Sequence, residues 1–239
     1  MSDWKTKRFW KAATVAQTGD GFAVELDGRR IKTPAKAALV LPTQQMAQAV
    51  AVEWDAQQEQ INPATMPVTR TANAAIDKVI PQHAEVADLL AAYGDSDYLC
   101  YRAETPAELA ARQGDVWDPM LDWGAQALGA RLAPRVGIMH KPQDAQVVAH
   151  LSARVQALNA FELAAFHDLV SLSGSLILAF AATRDARPPE ELWEISRLDE
   201  IYQIEQWGPD DEAEALVEIK KASFLHAKRM FDLAQPLQS

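Results

Sequence analysis

Two carboxylates near the C-terminal end of the chain sit where an apolar side chain is expected. In the run Ser196-Arg197-Leu198-Asp199-Glu200-Ile201-Tyr202-Gln203-Ile204-Glu205-Gln206-Trp207-Gly208, one face at about 100° per residue carries Leu198, Ile201, Tyr202 and, at its edge, Ile204. Glu205 falls inside that stripe, and Glu194 falls on it about three turns earlier. A carboxylate on an apolar face is unfavourable unless something pairs with it or it takes up a proton. Three kinds of chemistry are open. Either Glu205 is buried and bonded to an arginine or backbone amide of its own fold, or its face meets another protein and Glu205 selects the partner. The third is an enzyme in which Glu194 and Glu205 act as acid and base. That last needs the two groups close together, yet residues eleven apart on one helix are separated by about 15 Å or more of rise.

Other catalytic spacings are missing. The chain has no Gly-x4-Gly-Lys loop and no Gly-x-Gly-x-x-Gly turn after a strand. Ser171 to Ser175 is rich in serine and glycine but lacks a nucleophile elbow. The five histidines, His83, His140, His150, His167 and His226, show no metal-ligand spacing, so neither a metal nor another cofactor is expected. His167 and Asp168 are adjacent on a helix, where neighbours are not expected to face each other. Cys100, the single cysteine, has no partner for a disulfide and reads as a small buried hydrophobe. What remains is tryptophan: Trp4, Trp10, Trp54, Trp117, Trp123, Trp193 and Trp207. Aromatic anchors of this kind serve cores and protein interfaces alike. Trp207, beside a helix stop, and Trp117, in Trp117-Asp118-Pro119 at an expected helix break, read as the exposed ones.

The elements that must position these groups fall into two parts. Phe22, Val24 and Leu26 alternate with polar or small residues, and Asp27-Gly28 then favours a two-residue hairpin turn. Strands over Phe9 to Gln17, Arg30 to Lys32 and Leu39 to Leu41 complete a small antiparallel sheet. A helix started by Pro42-Thr43 should cover it, with Met46, Ala47, Val50, Ala51, Trp54 and Ile61 at helical spacing. Trp54 lies mid-stripe and reads as structural, and its replacement by alanine should cost roughly 3–5 kcal/mol. Prolines at 63 and 67 mark a break, which predicts an N-terminal β-containing domain over 1–67 and a helical domain over 68–239. In the second part Thr105-Pro106-Ala107-Glu108 and Asn159-Ala160-Phe161-Glu162 read as helix starts. Leu169 to Ala182 reads as one apolar helix, and Pro188-Pro189-Glu190-Glu191 opens the helix that carries Glu205. Asp210 or Asp211 opens the last helix, and two short extended pieces are expected at 98–102 and 135–138. The fold class is α+β, a small antiparallel β domain with its covering helix followed by a mainly α-helical domain.

Composition narrows the function. The 239 residues are 49% hydrophobic and 23% charged, with a formal net charge of -10. No lysine or arginine cluster offers a nucleic-acid surface. The most apolar run is about 14 residues, short of the roughly 20 a membrane span needs.

Along the chain, Arg8-Phe9-Trp10-Lys11, Leu26-Asp27-Gly28-Arg29 with Thr33-Pro34, and Glu53-Trp54-Asp55-Ala56-Gln57 occur in order. Ile61-x-Pro63-x-x-Met66-Pro67, Tyr101-Arg102, Trp117-Asp118-Pro119 and Gln203-Ile204-Glu205-Gln206-Trp207-Gly208 continue the series. Together they resemble the ATP-twelve family of ATP synthase assembly chaperones, over about residues 8 to 208, while the final helix carries no matching motif. The resemblance implies a non-enzymatic chaperone that holds the free alpha subunit of the catalytic head until a beta subunit takes its place; beside the enzyme, the alternative is a structural subunit of a stable complex. The resemblance places the family's functional glutamate at Glu205, with Asp199 and Glu200 as a second acidic pair and Trp54 in a folding role; Trp207, read as exposed beside the helix stop, joins them as a partner-binding residue. A mitochondrial member should carry an arginine-rich presequence before its Arg-Phe-Trp motif. Here that motif begins at residue 8, behind a leader that contains Asp3. The expected location is therefore the bacterial cytoplasm, or the mitochondrial matrix for a mature mitochondrial form.

Overall fold

A computed structural model describes residues 7–236, so Asp3 and Trp4 lie outside the described residues. Strands β1 (Ala13–Thr18) and β2 (Gly21–Leu26) pair antiparallel from Ala13 opposite Leu26 to Thr18 opposite Gly21. β3 (Arg29–Arg30) and β4 (Val40–Leu41) both pair with β2, β3 beside Glu25 and Leu26, β4 beside Phe22 and Ala23. The Asp27-Gly28 turn forms as expected, with φ of 49° and 80°. The Asp27 carboxylate fastens it by accepting from the Lys11 and Ala12 amides at 3.0–3.1 Å. Helix α1 (Gln44–Asp55), capped by the Thr43 hydroxyl, covers β1 and β2 and buries Met46, Ala47, Val50 and Ala51. It stops before Ile61, which belongs to the loop that follows.

The motifs of the first part explain each other. Arg8 donates to the carbonyls of Trp10, Lys11, Asp55 and Gln57 at 2.5–3.1 Å and pairs with the Asp55 carboxylate at 3.1 Å. The same guanidinium lies 5.4 Å from the Trp10 ring, which meets Trp54 edge-on at 5.3 Å. Trp54 is half-buried, so Trp54→Ala is expected to cost about 3 kcal/mol, read by thermal melting; a variant that melts like the parent chain would remove it from the list of fold-holding residues.

Contacts divide the chain beyond Pro67. One compact unit runs to His83 and takes back Asn159–Ala165 and the described residues from Arg229; the other comprises Ala84–Leu158 and Phe166–Lys228. The later break has a physical cause. Glu53 of α1 accepts from the Val68 and Thr69 amides at 2.7–2.8 Å, capping α2 (Pro67–Ala74), and Asp77 accepts from Thr33 and the Ala35 amide at 2.6 and 3.1 Å. Residues 67–83 are therefore tied to the sheet rather than to the helices that follow.

The second unit is helical: α3 (His83–Ala91), α4 (Ala107–Leu128), α5 (Ala145–Gln156), the later part of α6 (Ala160–Ser173), α7 (Leu176–Thr183), α8 (Pro189–Ser196), α9 (Leu198–Trp207) and most of α10 (Asp211–Ala234). The two expected extended pieces form only in part, Tyr98–Cys100 being a 3₁₀ turn, and what is extended pairs, β5 (Tyr101–Arg102) running parallel to β6 (Arg135–Val136). The Asn159 capping box forms, with Asn159 Oδ1 accepting from the Phe161 and Glu162 amides and Glu162 accepting from the Asn159 amide. Thr105 does not cap α4; Pro106 occupies the cap position and supplies no side-chain bond. The run from Leu169 to Ala182 is two helices, because Gly174 adopts φ 69° and Ser175 restarts the chain by accepting from the Leu178 amide at 3.0 Å.

Trp117 is a correction. Pro119 lies inside α4 without ending it, and Trp117 is fully buried, donating to the Ile195 carbonyl at 2.9 Å. Its ring carries the Arg102 guanidinium at 5.1 Å, which also bonds the Leu99 carbonyl and the Asp118 carboxylate. Tyr101-Arg102 and Trp117-Asp118-Pro119 thus form one packing cluster. Cys100 is buried there as well, and burial pushes its thiol up to about 12.

Candidate functional site

The pattern expected to be one helix from Pro188 to Gly208 is broken at Arg197, whose backbone sits at φ -110°, ψ 17°. Glu194 and Glu205 therefore stand on different helices. Below the break α8 buries Leu192, Trp193 and Ile195. The base of α9 is fixed by buried Leu198 and Tyr202 and by Asp199, which accepts from Tyr98 at 2.8 Å and from Gln113 at 2.7 Å. That bond and burial push the Tyr98 hydroxyl upward in pKa, burial being the larger cause. Both Asp199 oxygens are thus occupied within the unit. Glu200 is exposed, with one oxygen 3.9 Å from Arg197.

The tip of α9 is different. Every residue from Gln203 to Gly208 is exposed, Ile204 at 39% and Trp207 at 79%. Gly208 ends the helix at φ 89°, its amide donating to the Ile204 carbonyl at 2.8 Å, and the Asp210 side chain then accepts from Ala213 at 3.3 Å to start α10. Glu205 is not on a buried face but exposed. It is held from the side by Arg112 of α4, whose two terminal nitrogens donate to its two oxygens at 2.5 and 2.9 Å. The Arg112 bond keeps the Glu205 carboxyl below the usual carboxylate range and raises Arg112 in turn. An arginine partner within the fold was one of the readings of Glu205. That reading makes Glu205 a buried carboxylate, whereas it is exposed, as a face that meets another protein requires; the pairing itself could not be read from periodicity because Arg112 is 93 residues away.

Between α8, α9 and the first turns of α10 runs a groove of about 710 Å³. Trp193, Ile201, Ile204, Trp207, Ala213 and Val217 supply its apolar surface. Carboxylates of Glu194, Glu200, Asp210, Glu214 and Glu218 border it, against the cations Arg197 and Lys221. The α10 residues escaped sequence reasoning because they match no motif. The available signal was Leu216, Val217 and Ile219 interspersed with glutamates, an apolar content too high for a solvated helix face.

His167 and Asp168 do touch, Nδ1 to Oδ1 at 3.0 Å, and the bond raises the His167 pKa; both are about half exposed on α6. Among the described residues no group of three or more His, Cys, Asp or Glu side chains is placed to hold a metal ion. No helix among them is long and apolar enough to cross a membrane.

Residues 7–125 match the model of the family described as ATP12 chaperone protein. The crystal structure of Atp12 from Paracoccus denitrificans superposes with a TM-score of 0.95 at 44% identity, covering 98% of this chain and 100% of that one. The chain belongs to the ATP12 chaperone family. An aspartate-to-lysine variant of the Paracoccus protein gives the same figures, TM-score 0.95 and 44% identity. A candidate chaperone from Agrobacterium tumefaciens is 39% identical with a TM-score of 0.91, covering 96% of this chain and 86% of that one. Among curated relatives, the mitochondrial protein atp12 of Schizosaccharomyces pombe is 29% identical over 227 residues, 87% of this chain and 75% of that protein. The α+β architecture expected from the sequence is that of these ATP12 structures. Most motifs that carried the resemblance are used in packing, around Arg8 and Trp54 in one unit and Arg102 and Trp117 in the other. The Gln203–Gly208 run alone is exposed along its length.

Proposed function

We propose that this chain is an assembly chaperone of ATP synthase that binds the free alpha subunit and shields its apolar interface until the beta subunit replaces it. The observation that carries this reading is the exposed Ile204 and Trp207 on a helix tip whose base is firmly packed, in a chain of the ATP12 chaperone family. A subunit that will later pair with another exposes an apolar surface while alone, and such a surface aggregates. A chaperone must cover it yet leave, which favours a small apolar anchor set among charges over a broad apolar face. Glu205, Glu200 and Trp207 are the residues we assign to contact with the alpha subunit. Asp199 contributes by holding the base of α9 through Tyr98 and Gln113. Two bacterial relatives at 44% and 39% identity, against 29% for the fission-yeast protein, favour the bacterial cytoplasm as its location.

The function is non-enzymatic in this reading. A general acid at Glu205 would need a raised pKa, and Arg112 pushes it the other way. Refolding isolated alpha subunit with an equimolar amount of this chain, without nucleotide, should strongly reduce light scattering. Unchanged scattering would sink the proposal, and ATP hydrolysis by the purified chain would sink its non-enzymatic part.

A further inference from the structure

We infer that the groove between α8, α9 and α10 takes an amphipathic helical segment that turns apolar side chains inward and carries lysine or arginine along its edges. The inference rests on the chaperone reading for the identity of the protein that supplies the segment, the alpha subunit, but not for the chemistry of the groove.

The apolar surface is supplied from both sides, Trp193, Ile201, Ile204 and Trp207 on one wall and Ala213 and Val217 on the other. Two helices meeting at the Gly208 turn give a trough whose walls present side chains at helical spacing, which suits a third helix better than an extended strand needing backbone partners. Among the described residues no sheet edge borders it. Charge then selects the occupant. Five carboxylates face two cations around the groove, and one of those cations, Arg197, is already placed over the Trp193 ring at 5.5 Å and near Glu200. Glu214 and Glu218 lie one turn apart on the exposed start of α10, so a helix in the trough would pass a row of negative charge on that side. A second copy of this chain would bring an equally acidic rim and a net charge of -10 against it. A basic-edged segment meets the opposite situation. Glu205 lies just outside the groove on the same helix, where Arg112 of α4 neutralises it, so the charge that selects the occupant comes from the groove's own border.

The test uses the full chain and two fluorescein-labelled peptides of about 18 residues, one a leucine/lysine amphipathic helix and one with glutamate in place of lysine. The leucine/lysine peptide should bind at least about tenfold more tightly than its glutamate counterpart by anisotropy. Val217→Glu and, separately, the pair Glu214→Lys with Glu218→Lys should each weaken it by a similar factor, with unchanged circular dichroism since these positions are exposed or half-buried. Bound peptide should also be displaced by alpha subunit. Equal binding of both peptides, or binding indifferent to the groove variants, overturns the inference. Self-association of the chain that the peptide competes away overturns it in favour of a second copy. Peptide bound in the groove but not displaced by alpha subunit that does bind elsewhere overturns the choice of occupant. If alpha subunit fails to bind at all while the peptide behaves as expected, the groove chemistry stands and the chaperone reading falls.

Discussion

Replacing Asp97 with alanine is expected to lower the stability of the chain by about 3–5 kcal/mol at neutral pH. The carboxylate is fully buried and accepts from the Leu99 amide, the Ser175 hydroxyl and the Ile177 amide, each at 3.0 Å. It thereby ties the turn before β5 to the first turn of α7, where Ser175 in turn caps Leu178. Alanine strands those donors in a dry interior, and the relief of a buried charge offsets only part of that loss. Burial pushes the Asp97 carboxyl from its ordinary 3.8 up to about 6, against the pull of its three donors. Between about pH 4 and pH 6 the native state holds a proton that the unfolded chain has released. The contribution of this group is therefore greatest below pH 4, falls as pH rises through that window, and is level above it. Asp97→Asn should abolish that trend, so the stability difference between the two proteins, measured by urea unfolding, should shift by about 3 kcal/mol across the window. A difference that stays flat with pH rules out a titrating Asp97, and an alanine variant as stable as the parent rules out its structural role.

Asp97 also shows why the sequence was legible in some places and not in others. Local chemistry was readable: the Asp27-Gly28 turn, the Thr43 cap and the Asn159 capping box each act within a few residues, and all three formed. Features set by distant partners were not, and two local signals also misled, since Thr105 does not cap α4 and Gly174-Ser175 divides the run read as one helix. Arg197 breaks the Glu194–Glu205 run without a glycine or proline, in a place where Trp117, from another helix, takes up the Ile195 carbonyl. Pro119 looked like a helix end, but α4 passes through it because Trp117, Met120 and Leu121 are buried on its inner face. A proline normally weakens a helix interior, and tertiary packing outweighed that here. The same lesson governs the candidate site. The glutamate in the Gln203–Gly208 run could be picked out by its place on an apolar stripe, whereas Arg112, 93 residues away, could not be paired with it from periodicity.

The largest functional effect is expected at Trp207. At 79% exposure it contributes little to the free chain, so Trp207→Ser should alter unfolding by no more than about 0.5 kcal/mol. An exposed aromatic that becomes the centre of an interface is worth about 2 kcal/mol or more, so affinity for isolated alpha subunit should fall by about thirtyfold or beyond. Glu205 and Arg112 then separate two roles for the acidic group. If the Arg112 pair only steadies the α9 tip, Arg112→Ala and Glu205→Gln should weaken binding equally, since either removes the bond. If Glu205 instead meets a cation on the alpha subunit, Arg112 is its competitor. Arg112→Ala should then preserve or strengthen binding while Glu205→Gln weakens it. Glu205→Lys should weaken it most, placing a second positive charge beside Arg112 and repelling the incoming one. Both groups are substantially exposed, so all three variants should melt near the parent temperature. Raising salt should shrink the difference between Glu205→Lys and the parent, as expected for a charge contact at a wet rim. Equal losses for Arg112→Ala and Glu205→Gln would assign Glu205 to its own fold, leaving Trp207 and the groove as the partner-selecting surface.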